Sequence, residues 1–142
     1  METLSSGIRL RRDLIAALGV IVVSFLLLFL PIVVYAFMLA FRARGAPDQA
    51  AINHFAAVLS PALMPWLVRL LTLLLAFWTV WRSEAPHTAD GLVVGVVAGL
   101  LNLAVTLAFG GAPSLRSLVV FLVVVGLGWL GGFVGRRMSA SA

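Results

Sequence analysis

The chain has 142 residues, of which 63% are hydrophobic and 11% are charged, and its formal net charge is +5. So few polar residues cannot cover the surface of a water-soluble domain, which excludes that class of protein. All ten basic residues are arginines that flank or interrupt apolar stretches. Their charge therefore indicates membrane topology and contact with anionic lipid, and we expect no nucleic-acid partner.

The first apolar stretch, residues 14–41, follows a cluster of arginines near the N-terminus. It is much longer than the apolar region of a secretory signal, which has about 7–15 residues. The Arg42-Ala43-Arg44 segment after it is also unlike a cleavage site. We therefore expect an uncleaved first transmembrane helix, long enough to tilt or to kink at Pro31.

The second apolar region is less regular than the first. Residues 48–60 mix polar and apolar side chains, and prolines follow at positions 61 and 65. This pattern predicts a short helix in the headgroup layer over 48–60, then a transmembrane helix over about 61–82. Arg69 lies three residues after Trp66, whose ring is typical of the interfacial aromatic belt. We expect Arg69 to reach lipid phosphate, with a place on an ion or substrate pathway as the alternative.

Two further apolar stretches predict transmembrane helices over about 90–110 and 114–135. Their connection, residues 110–113, contains glycine and proline and is so short that the two helices must be antiparallel neighbours. Asp90 and Ser114 are placed to act as the N-caps of these helices. The sequence therefore predicts an all-α integral membrane protein with four transmembrane helices in a single membrane domain.

Small residues recur at four-residue spacing on the third and fourth predicted helices, so they share one face of each helix. The predicted packing faces are formed by Gly91, Gly95, Gly99, Asn102, Gly128, Gly132 and Gly135. Because apolar burial gives no net attraction between helices in lipid, close backbone approach at small residues drives their packing. We expect a tight Gly-rich antiparallel hairpin, with a groove for a partner's helix or for self-association as the alternative.

Asn102 is the strongly polar uncharged side chain expected nearest the middle of the membrane. Its amide requires hydrogen-bond partners, and we expect it to act in helix packing, with contact to a substrate as the alternative. Thr72, Thr79 and Thr106 are candidate partners, unless their hydroxyls bond the backbone of their own helices.

The arginines also predict the orientation of the chain. With four spans both termini share one side of the membrane, and that side collects six arginines against four on the other. Arginine-rich loops stay in the cytoplasm, so we expect both termini to be cytoplasmic. The ending Gly-Gly-x-x-Gly-Arg-Arg, residues 131–137, is similar to that of many small prokaryotic membrane proteins and identifies no single family. We therefore expect a multi-pass protein of a prokaryotic plasma (inner) membrane.

The residues that carry chemistry are sparse. His54 and His87 fall outside the predicted spans and on opposite sides of the membrane, so they cannot jointly hold a haem within one subunit. Ligation of a partner's cofactor by one of them stays open. The chain has no cysteine, and its serines have no base and carboxylate near them in sequence. We expect no enzyme activity, no cofactor and no metal.

These observations favour a non-catalytic accessory or structural subunit that packs against a larger membrane complex and its lipids. The alternative is a small oligomeric transporter or channel that uses Arg69 and Asn102 as polar lining. The environment of Arg69 discriminates between them. Contact with lipid headgroups favours the accessory subunit, and contact with an internal cavity favours transport.

Overall fold

The computed structural model describes residues 2–83, 87–108, 111–112 and 114–141, with residues 2–9 described by their backbone alone. This part of the chain is all-helical. The four helices are α1 (Glu2–Ala43), α2 (Gln49–Trp81), α3 (Thr88–Ala108) and α4 (Leu115–Ser139). Each is long and apolar enough to cross a membrane, so the chain has the architecture of a multi-pass membrane protein.

The helices run alternately up and down. An Arg12–Asp90 ion pair brings the starts of α1 and α3 together, and the Ser139 hydroxyl donates to the Trp81 carbonyl where α4 and α2 end. We call this side of the bundle the Arg12 end, and the opposite side the Arg116 end. Within the described residues α2 contacts all three other helices, whereas α1 contacts only α2 and α3.

The first two helices project beyond the other two at the Arg116 end. At about 1.5 Å per residue, α1 rises about 46 Å after Arg12, whereas α3 rises only about 27 Å after Asp90. The projecting part is held together by the stacked rings of Tyr35 and Phe55, whose centroids are 4.2 Å apart. The first helix continues through Pro31 and begins well before the predicted span of 14–41.

The second helix differs from the prediction, because it is continuous where two helices were expected. Asp48 caps it by accepting from the Ala50 and Ala51 amides, and the helix then passes through both Pro61 and Pro65. A proline removes one backbone donor, but neighbouring helices and hydroxyl side chains allow long membrane helices to accommodate that loss. The predicted division near residue 61 is therefore wrong, and a headgroup location for residues 48–60 stays a prediction.

The last two helices begin close to the predicted positions. Ser114 caps α4 by accepting from the Ser117 amide, which confirms the predicted cap. The prediction for Asp90 is wrong, because α3 starts at Thr88 and Asp90 lies in its first turn, where its carboxylate bonds Arg12. Gly110 and Pro113 of the predicted connection lie outside the described residues.

The core of the bundle is made of small side chains. Its fully buried members include Ala17, Val20, Ala76, Val94 and Val124. Among the described side chains three hydroxyls are also buried, and each donates to a carbonyl of its own helix: Ser24 to Val20, Thr72 to Val68 and Thr79 to Ala76. These threonines are therefore not partners of Asn102.

Candidate functional site

Glycines bring α3 and α4 into backbone contact near the Arg12 end. A Cβ atom placed on Gly91 would lie 2.6 Å from the Gly128 carbonyl oxygen and from the Gly132 Cα. One placed on Gly95 would lie 3.1 Å from the Gly128 Cα. Distances this short leave no room for a side chain, so the two backbones approach as closely as glycine permits.

The remaining glycines have other neighbours. Gly99 lies against the ring of Phe121. Gly135 was expected to face α3 and instead lies against α2, where a Cβ atom placed on it would lie 2.7 Å from the Phe77 carbonyl oxygen. Gly131 also meets α2, and nothing lies within 4 Å of the Cβ position of Gly126. The glycine face of α4 is therefore divided between two of the chain's own helices.

The contacts between α2 and α4 fix the height of Arg69 in the bundle. Gly131 lies beside Leu73, and Gly135 lies beside Phe77, so the two helices are parallel and in constant register. The same register places the Cα of Arg69 level with Leu127, midway along α4. At about 1.5 Å per residue this is about 18 Å from the first residue of α4, far deeper than its position near Trp66 had suggested.

A cavity of about 420 Å³ lies between α2, α3 and α4 and extends from Arg69 toward the Arg116 end. Its polar lining consists of Ser60, Arg69, Asn102, Thr106, Ser114, Arg116 and Ser117. Among the described residues no aspartate, glutamate or histidine lines it. Two guanidinium groups and several hydroxyls therefore face this space, and none of its described lining residues has a carboxylate to balance their charge.

Arg69 forms the deep end of the cavity. Its Nε is buried and has no hydrogen-bond partner among the described residues, and its Cζ lies 5.4 Å from the centre of the Trp66 ring. A buried donor without a partner costs about 1–3 kcal/mol, and more when it is charged. Only the cation–π contact offsets that cost within the described part of the chain, which makes Arg69 a strong donor toward any acceptor in the cavity.

The start of α4 adds positive potential at the mouth of the cavity. Arg116 is exposed in the first turn of this helix, beside the hydroxyls of Ser114 and Ser117, which lie 3.0 Å apart. The N-terminus of a helix carries a partial positive charge, so an arginine there opposes the helix dipole. The same placement strengthens attraction for an anion.

Asn102 lines the cavity in the region between these two arginines. Its backbone carbonyl accepts from the Thr106 hydroxyl at 2.8 Å, and no described residue bonds its side-chain amide. Arg69 and Asn102, which the sequence offered as polar lining under the alternative function, both line this cavity. Arg116 was missed as a member of that set because it was interpreted as a topology signal alone.

An apolar groove adjoins the cavity. It has a volume of about 550 Å³ and lies on α3 and α4 at the Arg116 end. Its lining consists of Leu100, Leu103, Ser114, Leu115, Ser117, Leu118 and Phe121. Four of these residues, Leu103, Ser114, Ser117 and Phe121, also line the cavity, so a polar space and an apolar space share one boundary.

A separate cluster of charges lies at the Arg12 end. The guanidinium of Arg12 is 3.3 Å from the Asp90 carboxylate and 3.5 Å from that of Asp13, and both aspartates are buried. This cluster was not predicted from the sequence, in which Asp90 was interpreted as an N-cap alone. An indirect signal existed. In a chain with four spans the first and third begin on the same side of the membrane, so an arginine and an aspartate at these two starts can meet.

The other chemistry-bearing residues do not converge. His54 lies near the start of α2 and His87 lies just before α3, at opposite ends of the bundle, and both are exposed. Within the described residues no group of three histidines, aspartates or glutamates is placed to hold a metal ion.

No family model matches this chain, and no curated protein or solved structure matches it either.

Proposed function

We propose that this protein binds an anionic ligand inside its helical bundle, as the substrate-binding part of a small oligomeric transporter or channel. The observation that carries the proposal is that Arg69 and Asn102 line one cavity between the helices, with Arg116 at its open end. This is the environment of Arg69 that favours transport over a purely structural role.

Electrostatics support an anion as the ligand. A charged arginine within a membrane-spanning bundle is costly unless it meets a counter-charge or water, and no described carboxylate lines this cavity. An oxyanion satisfies the requirement, because its oxygens accept from a guanidinium fork and from hydroxyl groups at once.

The lining also supports binding rather than catalysis. Serine hydroxyls are present, but no histidine, aspartate or glutamate among the described lining residues is available to activate them. We therefore retain the proposal that the protein is not an enzyme.

Phosphate binding to the purified protein in non-ionic detergent tests the proposal. Trp66 becomes the single fluorescent reporter when the three other tryptophans, all exposed, are replaced by phenylalanine. We expect inorganic phosphate at constant ionic strength to change the emission of Trp66 in a saturable way. Arg69→Leu should abolish this change, and Arg69→Lys should weaken binding by about tenfold, because lysine lacks the planar fork.

Arg136 provides the matched control, because it is an exposed arginine on α4 at the opposite end of the bundle. Arg136→Leu should leave phosphate binding unchanged. Equal binding by the wild type and Arg69→Leu, with both folded, contradicts the proposal. Equal losses in Arg69→Leu and Arg136→Leu also contradict it, since they indicate attraction to net charge alone.

A second candidate function is the accessory subunit, and one observation favours it. The projecting parts of α1 and α2 are not covered by α3 or α4, and Phe37 and Phe41 there are 72% and 79% exposed. If a partner comigrates with the protein in gentle detergent, the Phe41→Asn variant should lose it. The Phe29→Asn variant should retain it, because Phe29 is an exposed ring on the same helix that lies nearer the Arg12 end.

The finer features of the fold and its location belong with these proposals. The glycine contacts support a tight Gly-rich antiparallel hairpin of α3 and α4. Because those glycines meet helices of the same chain, a partner or a second copy would dock on other apolar faces. We further propose a prokaryotic inner-membrane location, contact with membrane lipids and cytoplasmic termini at the Arg12 end, on the basis of the arginine distribution.

A further inference from the structure

We infer that the ligand is an anionic glycerophospholipid without an amine, whose phosphate enters the cavity while an acyl chain lies in the adjoining groove. This inference rests on the proposed function and names the ligand class of the same site. It is carried by the shared boundary between a cation-lined space and an apolar one.

The groove provides a path for the chain out of the bundle. Leu100, Leu115 and Leu118 line it and are 52%, 78% and 55% exposed, so it opens on the outer surface of α3 and α4. In a membrane that surface faces the hydrocarbon layer. Leu100 lies about 12 Å below the last residue of α3, so the groove continues to the depth at which acyl chains lie.

The cavity determines which lipid headgroup can bind. The hydroxyls of Ser114 and Ser117 lie where the two spaces meet, Arg116 lines the cavity beside them, and Arg69 lies deeper. A phosphate offers enough acceptor oxygens for such a set of donors. Choline or ethanolamine would bring a positive charge beside two arginines with no carboxylate among the described lining residues to receive it.

Calorimetric binding to the purified full chain in non-ionic detergent tests the inference with four probes. These are inorganic phosphate, dioctanoyl phosphatidate, dioctanoyl phosphatidylcholine and dioctanoylglycerol. We expect phosphatidate to bind at least about tenfold more tightly than inorganic phosphate, because only phosphatidate also places apolar chain in the groove. Phosphatidylcholine and dioctanoylglycerol should bind at least about tenfold more weakly than phosphatidate, since they lack a net negative head.

Matched variants separate the two halves of the site. Leu118 lies in the groove. Leu122 lies one turn further along α4, is similarly exposed at 58%, and is outside the groove, so Leu122→Asn is the matched control for Leu118→Asn. Leu118→Asn should weaken the binding of phosphatidate by about fivefold and leave the binding of inorganic phosphate unchanged. Leu122→Asn should change neither affinity. Arg116→Gln should weaken the binding of both inorganic phosphate and phosphatidate by about tenfold, and Arg136→Gln should change neither affinity.

Each other outcome overturns a specific statement. Equal affinity for inorganic phosphate and phosphatidate, or no effect of Leu118→Asn, overturns the lipid inference and leaves the anion cavity standing. Phosphatidylcholine as tight as phosphatidate also overturns the stated lipid class. Dioctanoylglycerol as tight as phosphatidate overturns the lipid inference, because the phosphate then contributes nothing to lipid binding. No binding of any phosphate probe overturns the proposed function together with this inference.

Discussion

The substitution Gly128→Ala tests the close approach of α3 and α4 most directly. Its new Cβ atom would lie 2.6 Å from the Gly91 carbonyl oxygen and from the Gly95 Cα. Favourable carbon contacts are about 3.5–4.0 Å, so the helices must separate by about 1 Å. The obstructing atoms belong to backbone, and no rotamer change can remove them.

The size of the effect follows from two opposing terms. Overpacking a close interface costs about 1–3 kcal/mol, and replacing a helical glycine by alanine returns about 0.5–1 kcal/mol. We therefore expect Gly128→Ala to lower the free energy of unfolding by about 1–2 kcal/mol. Gly126→Ala provides the control on the same helix, because nothing lies within 4 Å of its Cβ position and only the favourable term remains.

Reversible unfolding in mixed micelles of non-ionic detergent and dodecyl sulfate, followed by far-ultraviolet circular dichroism, measures this difference. The Gly128→Ala midpoint should fall at a lower dodecyl sulfate fraction than that of the wild type, and the Gly126→Ala midpoint at an equal or higher one. Identical midpoints for the two variants would refute the reasoning, because they would mean that the two backbones do not constrain each other at Gly128.

Three further predictions concern the ends of the bundle. A double-mutant cycle with Arg12→Ala and Asp90→Ala should give a coupling energy of about 1 kcal/mol for this partly buried pair, and a coupling near zero contradicts its role in joining α1 to α3. Asp48→Ala should destabilise α2 by about 1 kcal/mol through loss of its N-cap, whereas Asp48→Asn should unfold like the wild type; equal losses would show that the cap is not the cause. Single cysteines at Ala46 and Ala140 of this cysteine-free chain, treated on intact cells with an impermeant thiol reagent, should label at Ala46 alone; labelling at Ala140 alone reverses the predicted orientation.

The sequence predicted the helices themselves because hydropathy acts locally. Apolar stretches of transmembrane length must form helices in lipid, where each backbone donor and acceptor requires a partner within its own segment. The cap at Ser114 followed from the same local chemistry. Local reasoning failed in α2, because the prolines at 61 and 65 signal a break in water, whereas a membrane helix surrounded by neighbours tolerates them.

The candidate site depended on packing between distant segments. Arg69 and Asn102 were identified from the sequence as polar residues in apolar helices, but their convergence on one cavity depends on the packing of α3 against α4 and on the register of α2 against α4. The register of α2 is fixed by the close contacts of Gly131 and Gly135 with its backbone. A shift of one turn would move Arg69 by about 5.4 Å and change which residues it faces.

The sequence by itself therefore determined that this chain forms four helices long and apolar enough to cross a membrane, that Ser114 caps the last of them, and which residues are too polar for their surroundings. Only the tertiary structure decided that Arg12 bonds Asp90, that Arg69 lies at mid-height, and that Arg116 lines the same space. The physical reason is the range of the interactions. Helix formation and capping join residues within a few positions of each other, whereas a cavity is the space left between helices whose register is set by contacts far apart in the chain.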